Sequence, residues 1–305
     1  MGFFDEALDK SVDMWDKGVL AAKGAVSGVA VEKQPFMREF ARLCRTGWER
    51  GWNEANGGNL SYRLTNEEVD QVRGYFYSDV SPWVPLGVRA GNMARQFLVV
   101  TASGSFLGNV ASHTEENVGI VEINDTGDAW RLVWGLKGGG RPTSELPSHF
   151  MNHSVRMQAT GGAMRVLYHA HPSHIIAMTK LLPNDAGVLN RALWSMTTEC
   201  VLVFPEGLGL VPTLTPGSMN LAQATCEWMT SCCGCVWANH GLFASGDSFD
   251  SAFGLMETVD KAAEIYLAAR AANGGSDDFP SNPTLQQLQR VAEDLHLVLN
   301  PRFLQ

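Results

Sequence analysis

The chain has 305 residues, 45% of them apolar and 18% charged, and its 23 lysines and arginines against 32 aspartates and glutamates give a net charge of −9. This composition is typical of a globular protein and excludes disordered and collagen-like chains. The acidic balance argues against nucleic-acid binding, because gripping a phosphate backbone needs clustered basic residues. We also expect no membrane span and a cytoplasmic location, since no long uncharged apolar window and no basic secretory signal region occurs.

The predicted elements alternate between helices and short strands. The predicted helices, in chain order, cover residues 3–24, 35–53, 143–160, 173–181, 188–198, 216–230, 248–272 and 284–299. The predicted strands cover residues 60–64, 97–100, 118–123, 129–136, 165–169, 200–204, 235–239 and 242–245. Without an internal repeat, this pattern favours an α/β fold, a single domain with a mixed, mostly antiparallel central sheet covered by helices.

The domain organisation follows from composition and spacing. We predict a helical extension over residues 1–34, the main domain over 35–275, and a helical tail over 276–305 that packs on the same domain. Residues 66–95 are predicted to be a loop-rich insertion, because proline and glycine interrupt their apolar pattern. Four of the six cysteines lie within residues 226–235 without the two separated pairs of a zinc site, which predicts reduced, partly buried thiols.

Two histidines lie two positions apart at the end of a predicted strand. His169 and His171 would point to the same face of that strand, where both could bind one metal ion. His240 follows another predicted strand and could reach them if both strands end at the same edge of the sheet. Three neutral imidazoles with an open position describe a catalytic zinc site, whereas a hydrogen-bonded surface pair is the alternative for His169 and His171. His149 and His153, one helical turn apart on a predicted helix, could also bind a metal ion, but they are interpreted as solvated or packing residues.

Three polar loops could together hold a phosphate group. They are Asn56-Gly57-Gly58-Asn59, Thr101-Ala102-Ser103-Gly104 and Thr143-Ser144-Glu145. Exposed backbone N–H groups, hydroxyl groups and a predicted helix start all favour an anion. Each loop alone is also typical of an ordinary turn or cap. Glu145 could be a general base or could serve only the helix dipole.

Eight stretches carry a resemblance to a known family, in unchanged order over most of residues 40–270. They are GWNEANGGNLSYRL (51–64), FLVVTASGSFLGN (97–109), VGIVEINDTGDAWRLVWGL (118–136), PTSELPSHF (142–150), HAHPSH (169–174), TECVLVFPEGLG (198–209), HGLFASG (240–246) and the helix over 253–267. On these stretches the chain resembles the class II aldolase/adducin family, and most closely its rhamnulose phosphate branch. The H-x-H pair with a distant His-Gly is typical of the whole family, whereas TSEL, NGGNLS and TECVLVFP are more specific to that branch.

The resemblance implies a lyase of rhamnose catabolism: zinc-dependent retro-aldol cleavage of L-rhamnulose 1-phosphate to dihydroxyacetone phosphate and L-lactaldehyde. It implies one Zn2+ per subunit and a homotetramer with active sites at subunit interfaces. The implied metal ligands are His169, His171, His240 and, in the resting site, Glu145. The implied phosphate-binding residues are Asn56, Asn59, Ser103, Gly104, Thr143 and Ser144. Glu145 is implied to be the acid/base, and Glu199 to reach the site of a neighbouring subunit as a second catalytic group.

Related functions within the family are the nearest alternatives. A fuculose-type aldolase or a sugar-phosphate epimerase could share the metal and the anion loops. A non-catalytic adducin-like assembly module is an alternative of a different class, but such modules have lost metal ligands that this chain retains. The sequence has no G-x-G-x-x-G, G-x-x-x-x-G-K-[ST], H-E-x-x-H or G-x-S-x-G motif, which removes the usual support for other enzyme classes.

Overall fold

The computed structural model describes residues 29–305, so the helix predicted for residues 3–24 lies outside the described residues. The chain divides at Ser154 and Val155 into two compact units. Within residues 29–305, nine strands combine with helices, and most strand pairings are antiparallel, so the predicted mixed α/β fold class is confirmed. The predicted boundaries near residues 34 and 275 stay predictions. None of the helices within residues 29–305 combines the length and the apolar character that a membrane span needs.

The described part of the first unit contains an antiparallel set of five strands. Its strands are β1 (Asn59–Arg63), β2 (Val84–Pro85), β3 (Phe97–Thr101), β4 (Val118–Ile123) and β5 (Ala129–Gly135), in the spatial order β2-β5-β4-β3-β1. Its helices are α1 (Pro35–Glu49), α2 (Asn66–Val72) and α3 (Thr114–Asn117). The predicted hairpin of β4 and β5 is confirmed, and the Asn124 side chain closes it by accepting hydrogen bonds from the N–H groups of Asp128 and Ala129.

Helix α2 is a correction to the loop-rich insertion predicted for residues 66–95. Its start is fixed by a capping box, in which the Thr65 side chain accepts from the Glu68 N–H and the Glu68 side chain accepts from the Thr65 N–H. The prediction gave weight to the later prolines and glycines and missed this local signal, although the remaining residues up to Arg95 do contain only short elements.

The second unit, Val155–Gln305, contains four strands. They are β6 (Val166–Ala170), β7 (Leu208–Val211), β8 (Gly234–Trp237) and β9 (Gly241–Gly246), in the spatial order β6-β9-β8-β7. Helix α4 (Leu146–Ala159) leads into this unit. The unit's other helices are α5 (Ser173–Met178), α6 (Ala186–Met196), α7 (Glu199–Val203), α8 (Met219–Met229), α9 (Phe249–Ala272) and α10 (Leu285–Asp294). Apolar side chains of β6, β8 and β9 pack beneath α8 around Trp237 and Phe243.

The strand predicted for residues 200–204 is wrong, because these residues form helix α7. A short buried apolar run has no periodicity that separates a strand from a helix. The strand of this region is β7, which follows at Leu208 and pairs in parallel with β8. Gly207, with a φ of +73°, turns the chain between α7 and β7, and Leu208 then donates its N–H to the Asn190 side chain.

The C-terminal tail packs against the helices of the second unit, to which it belongs. The Phe303 ring lies 6.2 Å from that of Trp194 and 6.1 Å from that of Trp228, and Phe303 is 1% exposed. Arg191 donates a hydrogen bond to the Phe303 carbonyl oxygen. The tail is therefore part of the core of this unit rather than a loose extension.

Candidate functional site

The three predicted metal-ligating histidines converge. One ring nitrogen from each of His169, His171 and His240 lies within 4.8 Å of the other two, and this is the only such group found among the described histidines, cysteines and carboxylates. The ring centroids are 4.8 to 5.1 Å apart. The hypothesis that distant strand ends bring His240 to the H-x-H pair is therefore confirmed.

Strand register explains this convergence. Ala170 at the end of β6 pairs with Leu242 at the start of β9, so the residues just beyond them meet at one edge. His240 occupies the turn between β8 and β9, where Trp237 pairs with Gly241. A Cβ atom on Gly241 would lie 2.3 Å from the Ala170 carbonyl oxygen, so only glycine allows the backbone at the start of β9 to approach the end of β6 this closely.

The turn that carries His240 is held by side chains of the second unit. Asn239 precedes His240 with a φ of +62°, a left-handed conformation that asparagine tolerates better than most residues. Its N–H donates to the Thr179 hydroxyl, and its side-chain amide donates to the Thr213 hydroxyl. Lys180 donates to the Asn239 side-chain oxygen. These contacts fix the backbone that places the His240 ring.

The His169 ring is held in the form that binds a metal. Its Nδ1 donates to the Leu242 carbonyl oxygen over 3.1 Å, which leaves the Nε2 lone pair free to act as a ligand. Complete burial, with His171 and His240 adding to it, lowers the pKa of His169 well below its usual value and keeps the ring neutral. Neutral imidazole is the form that a divalent cation requires.

The donor set fits zinc. The Nε2 atoms of His169 and His171 lie 3.2 Å apart. Two nitrogens at Zn–N distances of about 2.0–2.1 Å in a tetrahedron are roughly 3.3 Å apart, so these two rings already have the spacing of ligands to one ion. Three imidazoles also leave a fourth position for substrate.

An aspartate supports the segment that follows His171. Asp260 on α9 accepts hydrogen bonds from the N–H groups of His174 and Ile175 at the start of α5, and also contacts the His174 ring at Nδ1. Asp260 is 6% exposed, so its carboxylate is largely shielded from water, although the His174 side chain is 40% exposed. Sequence reasoning missed this residue, because Asp260 lies 86 positions from His174 and nothing in the local pattern of α9 marks it.

The three polar loops predicted to bind an anion lie together in the first unit. The N–H of Leu60, the residue that follows the first loop, donates to the Thr101 hydroxyl and so connects the end of the first loop to the second. Thr143 donates its N–H to the Thr101 carbonyl oxygen, which joins the third loop to the second. The side chain of Asn59 donates to Glu145 Oε2 over 2.9 Å and so links the first loop to the third.

The candidate phosphate-binding residues differ in exposure. Asn59 and Thr143 are each 7% exposed, whereas Asn56, Ser103, Gly104 and Ser144 are exposed. Gly104 has a φ of +73°, and a Cβ atom there would meet nothing within 4 Å. Glycine is therefore favoured at position 104 by the positive φ and not by a lack of space for a side chain.

Glu145 is buried at the residue just before helix α4. It is 6% exposed, its N–H bonds to the Thr143 hydroxyl, and its carbonyl oxygen accepts from the N–H of His149. The helix begins at Leu146 rather than at the predicted Thr143. His149 and His153 are fully buried and hydrogen-bonded to Ser61, so the packing role predicted for them is confirmed and the solvated alternative is wrong.

Glu199 is the first residue of α7 and is exposed. Its N–H contacts the Thr197 hydroxyl, so the start of α7 fixes the position of its backbone. Its predicted role toward a neighbouring subunit stays a prediction.

The six cysteines are all free thiols, as predicted. Burial raises the pKa of Cys226 to about 12 and that of Cys232 to about 11, so both stay protonated near neutrality. The cysteine cluster is therefore a packing feature of the second unit.

Comparison with known proteins agrees with this site. The family model described as Class II Aldolase and Adducin N-terminal domain matches residues 38–267. The chain belongs to this family, and it is a lyase of the class II aldolase type.

Within this family, curated proteins that are similar to this chain are named rhamnulose-1-phosphate aldolase. The rhamnulose-1-phosphate aldolase of Mannheimia succiniciproducens is 39% identical over 78% of this chain and 88% of its own length. That of Yersinia pestis is 40% identical over 78% of this chain and 87% of its own length. A sugar-phosphate aldolase structure from Thermotoga maritima matches 79% of this chain and 96% of its own, with a TM-score of 0.65 and 26% identity.

Proposed function

We propose that this chain catalyses the zinc-dependent cleavage of L-rhamnulose 1-phosphate to dihydroxyacetone phosphate and L-lactaldehyde, a step of rhamnose catabolism. The observation that carries the proposal is the convergence of His169, His171 and His240 in a class II aldolase whose relatives are named for this substrate. We propose one Zn2+ per subunit, held by these histidines and, before substrate binds, by Glu145. When bound, zinc supplies a Lewis acid that polarises the ketone and accepts charge as the carbon–carbon bond breaks.

Retro-aldol cleavage breaks the bond between the third and fourth carbons of the ketose. The fourth-carbon hydroxyl gives up its proton as the aldehyde forms, the bonding electron pair passes to the third carbon, and that carbon then takes up a proton. Glu145 is proposed to deliver this proton, and Asn59 orients its carboxylate by donating to Oε2. Glu199 is proposed to receive the hydroxyl proton in the site of a neighbouring subunit.

The phosphate group is proposed to lie among Asn56, Asn59, Ser103, Gly104, Thr143 and Ser144. The bonds that join these three loops within the first unit support this part of the proposal. N–H groups, hydroxyls and a helix start can bind a phosphate without a lysine. The role of Glu199 requires a second subunit, and we propose the homotetramer on that ground together with the family resemblance.

The purified protein offers a direct test. It should contain zinc, and it should release dihydroxyacetone phosphate from L-rhamnulose 1-phosphate faster than from L-fuculose 1-phosphate. A chelator should abolish the release, and added Zn2+ should restore it. Faster release from L-fuculose 1-phosphate would show instead that the chain is a fuculose-type aldolase. Epimerisation of a sugar phosphate without release of dihydroxyacetone phosphate, or no reaction at all in zinc-loaded protein, would refute the proposal.

Glu145→Gln tests the proton-transfer role. The variant should retain zinc but lose hydrogen exchange between dihydroxyacetone phosphate and deuterated water, because the amide cannot accept the proton. Glu227→Gln, at a residue of α8 remote from the three loops in sequence, is the matched control and should exchange at the normal rate. Exchange at the wild-type rate in Glu145→Gln would remove Glu145 from the acid/base role.

A further inference from the structure

A continuous chain of hydrogen bonds runs inward from Glu145. Asn59 donates to Glu145 over 2.9 Å, and the Asn59 side-chain oxygen lies 2.5 Å from His149 Nε2. His149 Nδ1 lies 2.6 Å from the Ser61 hydroxyl, which in turn lies 2.8 Å from His153 Nε2. All five residues are at most 7% exposed, so water does not compete for these bonds.

The chain is a product of one helix face and one strand. His149 and His153 lie along the same face of α4, and Glu145, four residues before His149, continues this spacing at the residue just before the helix. Asn59 and Ser61 are two positions apart on β1 and therefore point to the same side of that strand. Side chains from the α4 segment and from β1 therefore alternate along a single line of hydrogen bonds.

The donors and acceptors that each group has available set one direction of hydrogen-bond donation along this line. The Asn59 nitrogen faces the carboxylate, so its oxygen faces His149 and can only accept; His149 must therefore carry a proton on Nε2. A neutral His149 then has a lone pair on Nδ1, which must accept the single proton of the Ser61 hydroxyl. Ser61 has no second proton to give, so it must accept from His153 Nε2. Every donor in the line thus points toward Glu145.

The far end of the line agrees with this direction. His153 Nδ1 is buried and has no hydrogen-bond partner. When every donor points toward Glu145, this atom is an unprotonated acceptor, whereas the reverse direction would leave a buried N–H without an acceptor, which is the rarer defect. Burial, with His149 and Arg63 adding to it, lowers the pKa of His153 well below its usual value, which keeps the ring neutral.

We propose that His153, Ser61 and His149 are positioning residues that hold the Asn59 amide with its N–H group toward the Glu145 carboxylate. Asn59 alone could rotate about its last side-chain bond and present its oxygen to Glu145, which would repel the carboxylate. The histidine and serine partners prevent this rotation, because they fix an N–H group opposite the Asn59 oxygen. The proposal rests on the proposed acid/base role of Glu145. It gives an orienting role to His149 and His153, which are not among the proposed metal ligands.

Ser61→Ala tests the line at its middle. The change removes the hydroxyl that donates to His149 Nδ1, so the tautomer of His149 and the orientation of Asn59 are no longer fixed. We expect kcat for aldol cleavage to fall about tenfold, equivalent to about 1.4 kcal/mol in the barrier, with KM for the ketose phosphate and zinc content unchanged. Ser61→Thr keeps the hydroxyl and should restore most of kcat.

Ser245→Ala is the matched control. Ser245 is a buried serine on β9 whose hydroxyl donates to the Cys233 carbonyl oxygen, so the variant loses one buried hydrogen bond outside the line. Its kcat should stay near that of the wild type. Equal kcat values for Ser61→Ala, Ser245→Ala and wild type would overturn the proposal, and so would a loss in Ser61→Thr as large as in Ser61→Ala.

A second measurement does not depend on activity. In protein labelled with 15N-histidine, long-range proton–nitrogen NMR correlations distinguish the two neutral tautomers, and His149→Gln and His153→Gln would assign the two signals. We expect both rings to carry their proton on Nε2 and the His149 signal to change in Ser61→Ala. Protons on Nδ1 in both rings would mean that the line points away from Glu145, which would overturn the proposal. Absence of aldolase activity in the wild type would refute the proposed function and leave this measurement valid.

Discussion

The three-histidine cluster of the second unit and the hydrogen-bonded line of the first unit are built in different ways. His169, His171 and His240 are brought together by strand register and by one glycine, and each ring offers a ligand atom directly. The line from Glu145 to His153 instead depends on each member orienting the next. Removing a ligand should therefore affect metal binding first, whereas removing a member of the line should affect turnover first.

The largest effect should come from His171→Ala, which tests whether the cluster holds the metal. Loss of one of three imidazoles should lower bound zinc, measured by elemental analysis, and should lower kcat/KM for aldol cleavage by at least roughly 100-fold. His113→Ala, at an exposed histidine of the first unit, is the control and should keep full zinc content. Full zinc occupancy in His171→Ala would remove His171 from the ligand set.

Gly241→Ala tests whether backbone approach builds the cluster. A Cβ atom 2.3 Å from the Ala170 carbonyl oxygen forces the two strand ends apart, so we expect the free energy of unfolding to fall by about 2–3 kcal/mol and zinc affinity to fall with it. Gly254→Ala in α9 is the matched control, because a Cβ atom there meets nothing within 4 Å, and it should stabilise the helix by up to about 1 kcal/mol. Denaturant unfolding and zinc titration would measure both, and unchanged zinc affinity in Gly241→Ala would contradict the account of the cluster.

Asn59→Ala separates the line from the cluster. The variant removes the buried donor to Glu145 Oε2 and the buried acceptor for His149 Nε2, so we expect a loss of about 2 kcal/mol in unfolding free energy and a lower kcat. Zinc should remain bound, because the three histidines do not depend on Asn59. Asn282→Ala, outside the helices and strands of the C-terminal tail, should change stability by no more than about 0.5 kcal/mol. Loss of zinc from Asn59→Ala would break the distinction between the two regions.

Asp260→Ala should have the smallest effect of the four variants. It removes the acceptor for two N–H groups at the start of α5, just after the H-x-H segment, and should cost about 1 kcal/mol of stability. A modest loss of zinc affinity should accompany it if the start of α5 helps to place His171. Asp294→Ala, at an exposed aspartate of α10, provides the comparison, and equal stability of the two variants would show that the Asp260 cap contributes nothing measurable.

The two regions also differ in how far sequence reasoning could predict them. His169 and His171 follow the two-residue period of a strand, and His240 is marked by the glycine after it, so the cluster was predictable once the strands were placed. The partners of His149 were not, because Ser61 and Asn59 lie 88 and 90 positions away from it. A pair of histidines one helical turn apart gives no local signal of what the opposite strand presents.

The fold shows the same division. The capping box at Ser248 and the turn residues between β4 and β5 act within a few residues, so the long helix α9 and the hairpin could be predicted from the sequence. Residues 200–204 were misread because their apolar run is compatible with two conformations, and packing of α7 against α6 and α9 decided the matter. Local hydrogen bonds and periodicity are properties of the sequence itself, and they determined the fold class, most elements and the candidate ligands. Register, close approach and the order of buried donors and acceptors depend on residues far apart in the chain, and only the tertiary structure decided them.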